Sequence, residues 1–156
     1  MRNTLLKYIT IIVLFSISTA CFSQHRPYKK YDNEKFVITL GVFNGGGGLV
    51  GADLEYFVTP HLGVTAGAGY ISYGFGLNYH LSSGGSRSSY FNLSYFQQGV
   101  GDSFYKSYIG PSLVWRAKKI LQIQAGIAYL LDTGADYEGT VFPMFFVGSV
   151  GVYFPF

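Results

Sequence analysis

Ser149-Val150-Gly151-Val152-Tyr153-Phe154-Pro155-Phe156 is the stretch that decides how this chain is read. It has the length and composition of a strand, and it stops on an aromatic residue with another aromatic two positions earlier. In a soluble domain a bare Phe in that place has nothing to pack against. In a β-barrel that meets lipid, outward aromatics at strand ends lie at the membrane boundary. The octapeptide therefore reads as the closing strand of a membrane barrel, and the rest of the sequence can be tested against that expectation.

Composition agrees with it. The 156 residues are 49% hydrophobic and only 12% charged, with 21 Gly, 14 Tyr and 14 Phe. Soluble globular domains carry about a quarter charged residues, and disordered chains are charged and poor in aromatics. The length allows one domain.

Residues 1–23 read as a signal peptide: Arg2 and Lys7 give a positive start, Ile9 to Ile17 is almost wholly apolar, and Ser18-Thr19-Ala20 supplies small residues. The apolar run falls short of the about 20 residues that a spanning helix needs. Cleavage is expected before Gln24. The alternative is lipidation at Cys21, because Ser18-Thr19-Ala20-Cys21 loosely resembles a bacterial lipobox without its usual Leu. Loss of Arg2 and Lys7 lowers Lys+Arg from 11 to 9 against 8 acidic residues, so the basic balance of the whole chain implies no nucleic-acid partner. Cys21 is the single cysteine, which excludes a disulfide framework.

Residues 24–35 form a polar periplasmic lead-in, and 36–156 the barrel. The recurring signal there is alternation with a period of two. Val50, Ala52, Leu54, Tyr56 and Val58 alternate with Gly51, Asp53, Glu55 and Phe57; Leu121, Ile123, Ala125, Ile127 and Tyr129 alternate with Gln122, Gln124, Gly126 and Ala128. Strands are predicted at 36–43, 48–58, 62–71, 73–81, 88–98, 105–116, 120–131 and 142–156. Each is near the about 9–11 residues of a tilted transmembrane strand. The fold class is all-β, an eight-stranded antiparallel up-and-down transmembrane β-barrel with both termini on one side.

Under that topology the apolar parity places two aromatic belts. Phe36, Tyr56, Tyr79, Phe91, Trp115, Phe154 and Phe156 fall toward the termini; Tyr70, Tyr73, Tyr95, Tyr105, Tyr129 and Phe146 fall toward the other end. Rings at two interfaces are a membrane signature.

With these residues in place the chain resembles the small OmpA/OmpX-type outer-membrane β-barrels of Gram-negative bacteria over essentially its whole mature length. The family's assembly signal runs polar, any, Gly, any, any, aromatic, any, aromatic, and Ser149, Gly151, Phe154 and Phe156 occupy its four defined places. The resemblance implies outer-membrane localisation and recognition of this strand by the barrel-assembly machinery. Pro155 departs from the pattern by removing a ladder donor near the end, where proline is tolerated. The leader end Phe22-Ser23-Gln24 also looks like those common in Bacteroidetes.

The inward parity carries Thr39, Asp53, Glu55, Thr65, Asn78, His80, Asn92, Ser94, Ser112, Arg116, Gln122, Gln124 and Ser149. Isolated carboxylates in a barrel filled by side chains are costly. A polar network of Asp53, Glu55, His80, Arg116 and Gln122 is therefore predicted, with Arg116 bridging Glu55 and Asp53. Such a plug argues against an open, porin-like channel.

Three function classes remain. The leading one is a non-catalytic, monomeric outer-membrane protein with lipid around it, serving a structural or surface-interaction role through loops 98–104 and 132–141. A lipid A-modifying barrel enzyme would place a catalytic group at the extracellular rim, but His25, His61 and His80 all map to the lead-in or the periplasmic half. A soluble periplasmic lipocalin-like barrel would need the apolar parity inside. No cofactor or metal is expected. Asn44 to Gly48 lacks the Gly-Lys-Ser/Thr of a phosphate loop and reads as a flexible surface loop. Asp132 to Glu138 lacks EF-hand spacing and reads as a solvated acidic loop.

Overall fold

The computed structural model describes residues 34–82, 85–100, 104–117, 120–135 and 142–156. The signal peptide, most of the lead-in, Lys118, Lys119 and the acidic-loop residues Asp136 and Glu138 lie outside them. Eight strands form one closed antiparallel barrel in sequence order. They are β1 (Phe36–Val42), β2 (Val50–Phe57), β3 (Leu62–Gly69), β4 (Ser72–His80), β5 (Tyr90–Val100), β6 (Phe104–Arg116), β7 (Leu121–Thr133) and β8 (Met144–Pro155). The predicted strands all recur with small shifts at their ends. The link expected near Ser72 is the two-residue turn Tyr70-Ile71, and Ser72 begins β4.

Closure is made by the first and last strands. Val37 pairs with Pro155 and Val42 with Val150, and Phe36 and Phe156 exchange backbone hydrogen bonds of 3.2 and 2.8 Å. Pro155 is accommodated without losing a bond. Alternate β8 residues face β7 and β1, and Pro155 faces β7 beyond its last bond, Tyr153 N to Ile120 O at 2.8 Å.

Alternation becomes burial with few exceptions. Along β1 the pattern runs exposed, buried, exposed, buried, and β7 repeats it from Leu121 to Ala128. The side chains facing out are the apolar ones: Leu54, Phe75, Leu77, Leu93, Ile127 and Val150 are all exposed. A one-residue slip in any strand would exchange the two faces, so the pattern fixes register.

Two irregularities break the ladder. The β6–β7 register shifts between Ser107 and Tyr108, leaving Leu131 as the extra residue. Pro111 lies in mid-β6, where its missing N–H coincides with the gap in β6–β7 pairing between Ile109 and Ser112.

The interior has three layers. Near the termini, Val37, Phe57 and Tyr153 form an apolar floor. Toward the far end, Phe96, Tyr108 and Ala128 pack with Leu130, Phe145 and Val147. Polar side chains fill the space between.

Candidate functional site

The polar layer centres on Arg116, 5% exposed, near the terminus-side end of β6. Its Nη2 lies 2.8 Å from Glu55 Oε2, an ion pair with both side chains buried. Nε donates to Gln122 Oε1 at 2.8 Å, Nη1 to the Ser86 carbonyl at 2.8 Å, and Nη2 to the Tyr90 hydroxyl at 3.4 Å. The guanidinium also stacks on the rings of Tyr90 and Tyr153, 4.7 and 5.0 Å from their centroids. The charge, each of the three guanidinium nitrogens and the flat faces all find a partner, as a buried guanidinium requires.

Glu55 Oε1 is met by His80 Nε2 at 2.8 Å and by the Asn78 amide. His80 is fully buried, its ring between Phe57 and Tyr90 and its Nδ1 2.7 Å from Ser88 Oγ. A chain of amides and hydroxyls continues across the barrel. Asn92 donates to Asn78 (2.7 Å), Ser112 to Asn92 (3.2 Å), Gln124 to Ser112 (2.7 Å) and Ser149 to Gln124 (3.0 Å). Gly63 faces Glu55, and a Cβ there would stand 2.7 Å from its carboxylate. Small residues on β3 thus make room for the charges on β2.

Four of the five predicted network residues, Glu55, His80, Arg116 and Gln122, meet in one cluster. Asp53 does not join them. It accepts hydrogen bonds from Asn44 Nδ2 (2.9 Å) and Gly45 N (3.1 Å), one layer nearer the far end. The expected surface loop therefore folds inward, with Asn44, Gly45 and Gly48 buried. Gly45, Gly46 and Gly47 take φ of 66, 76 and 81°, a left-handed run suited to glycine. Between this cap and the Arg116 cluster lies a cavity of about 70 Å³ bordered by Thr39, Asp53, Asn92 and Gln124. Phe75, Phe96, Val114 and Val147 complete a wall of mixed polarity.

Sequence reading missed Ser86, Ser88, Tyr90 and Tyr153 as partners of the cluster. The β4–β5 turn bends in to bring its serines under the barrel, and Ser86 is tied to Glu34 by its hydroxyl. Tyr90 and Tyr153 carry the inward parity, the one signal that could have found them.

Ser88, His80 and Glu55 share the connectivity of a hydrolytic Ser-His-acid relay. Ser88 is only 4% exposed, however, and neither it nor His80 borders the cavity. Glu55 is also committed to Arg116. Ser88 and Glu55 thus hold the two ring nitrogens of a buried His80.

The four assembly-motif residues divide by face. Ser149 and Gly151 are buried inward, and Phe154 and Phe156 are exposed. The belt residues Phe36, Tyr56, Tyr79, Phe91 and Trp115 are exposed toward the termini, and Tyr70, Tyr73 and Tyr129 toward the far end; Tyr95 is half-buried. Tyr73 and Tyr95 both donate to Gln97 Oε1, at 2.7 and 3.2 Å. The chain matches no family model, no curated protein and no solved structure.

Proposed function

We propose that this protein is an integral outer-membrane β-barrel of the OmpA/OmpX-like kind, with a structural or surface-interaction role and no catalytic activity. The observation that carries the reading is inversion: the Glu55–Arg116 pair is buried inside, and the described outward side chains between the two aromatic girdles are apolar. A water-soluble barrel with Leu54, Phe75, Leu77, Leu93 and Ile127 exposed would present a hydrophobic patch far larger than soluble monomers tolerate. The two aromatic girdles match the two interfaces of a bilayer.

The interior supports a non-conducting, non-catalytic role. The Arg116 cluster and the inward cap flank the 70 Å³ cavity and fill the lumen on either side of it with side chains and backbone. A lipocalin-like reading would need a ligand-sized apolar space there. The motif Ser149, Gly151, Phe154 and Phe156 supports recognition by the barrel-assembly machinery. Function would then lie in the wall itself and in the far-end loops, facing outward.

Fractionation tests this reading. Expressed in a Gram-negative host, the protein should sediment with the outer membrane, resist urea extraction and migrate differently in gels with and without boiling. Recovery in the soluble periplasm would refute it. Deletion of Phe156 should reduce membrane assembly far more than deletion of 24–29; equal effects would refute the assembly motif.

A further inference from the structure

The far rim of the barrel is uneven. β1 stops at Val42, paired with Val150, whereas β8 begins at Met144. Residues 144–149 of β8 therefore rise past the top of β1. Beside them opens a crevice of about 620 Å³. Both faces of β8 line it: Phe145 and Val147 from the lumen, Phe146 and Gly148 from the exterior. One pocket can touch both faces of a strand only where the neighbouring strand does not cover its edge. Leu49 and Ile71 form the opposite wall.

Among the described residues the lining carries no charged side chain, and the amide of Gln98 already donates to the Gly47 carbonyl at 2.7 Å. Inward, the crevice reaches the apolar far-end layer through Phe96, Phe145 and Val147. Outward, it opens between Phe43, Leu49 and Phe146, all exposed apolar side chains.

We propose that this crevice is a lateral port that admits one acyl chain of a membrane lipid from the surrounding bilayer into the far-end layer of the lumen. The proposal rests on the membrane reading above. A hydrocarbon chain entering here remains among apolar groups from the exterior to the lumen, so it meets no desolvation barrier. A charged or strongly polar solute would lose hydration without gaining partners. The volume falls within the about 300–1,000 Å³ of ligand pockets. The polar layer beneath sets the depth at which the chain must stop.

The test uses the full chain in a Trp115→Phe background, which removes its single Trp. Phe145→Trp places a reporter in the lumen and Phe146→Trp places one on the exterior. Both are folded into phosphatidylcholine vesicles with or without bromine on the acyl chains. Both reporters should lose emission to a comparable extent in brominated vesicles. A Cβ at Gly148 would meet its nearest atoms at 3.5 and 3.6 Å, ordinary contact distances, so Gly148→Leu starts from an accommodated Cβ at the mouth and extends its side chain there. It should restore the emission of Phe145→Trp and leave Phe146→Trp quenched. Quenching of Phe146→Trp alone would overturn the port while the membrane reading stands. Quenching of Phe145→Trp that Gly148→Leu does not change would also overturn entry by this route. If neither reporter is quenched, the membrane reading itself fails.

Discussion

At the scale of residues, the barrel depends on one buried ion pair. Glu55 and Arg116 stand 2.8 Å apart at 2% and 1% side-chain exposure, and each is held by further hydrogen bonds. Removing one partner of such a pair strands the other charge, which typically costs about 3–5 kcal/mol. Glu55→Gln should therefore destabilise the folded barrel by about 3 kcal/mol in urea unfolding. A double-mutant cycle with Arg116→Gln should show coupling of about 1–3 kcal/mol. Independent, additive effects would contradict the pair. This cluster was legible in sequence because parity assigns each residue a face, and four polar residues shared face and height. Asp53 was misassigned for a physical reason. It lies two residues from Glu55, about 6.8 Å further along the strand, and so belongs to the next layer. Its partner is a glycine-rich loop, whose backbone amides leave no mark on a side-chain pattern.

At the scale of elements, the strands and the places of their links were legible, but the conformation of the glycine-rich link was not. Repeated alternation between apolar and small or polar residues can be satisfied only by a sheet with two unlike faces. The inward cap depends instead on backbone geometry. A Cβ on Gly46 would stand 2.8 Å from the Tyr73 Cα, at a φ of 76°. Gly46→Ala should cost at least about 1–2 kcal/mol from its left-handed backbone alone, measured as a lower unfolding midpoint. An unchanged midpoint would place the cap elsewhere. Ile71 shows the converse. A β-branched residue at φ 59° is strained, so Ile71→Gly should stabilise the β3–β4 hairpin by about 1 kcal/mol. Destabilisation would mean that the side chain contributes more than its backbone strain costs. The bulge at Leu131 was equally hidden, because an extra residue leaves the pattern on each side intact.

At the scale of the whole molecule, polar matter is sealed inside and apolar matter is displayed outside. The floor of Val37, Phe57 and Tyr153, the Arg116 cluster and the inward cap occupy the lumen in series along the barrel axis. On the proposed membrane reading, planar-bilayer recordings should show no steady conductance. Stable open-channel steps from the purified protein would contradict the sealed lumen.

The central claim is that the outward face touches hydrocarbon, and a charge placed on that face measures it directly. Leu77 is exposed in mid-β4, paired with Val64 and Leu93, while Tyr70 is exposed in the far-end turn. Folding free energies in lipid vesicles are to be compared for Leu77→Arg and Tyr70→Arg. Contact with lipid predicts a cost of about 2–4 kcal/mol for Leu77→Arg and about 0–1 kcal/mol for Tyr70→Arg. If both cost no more than about 0.5 kcal/mol, as on a water-exposed surface, the face does not meet a bilayer and the account is wrong.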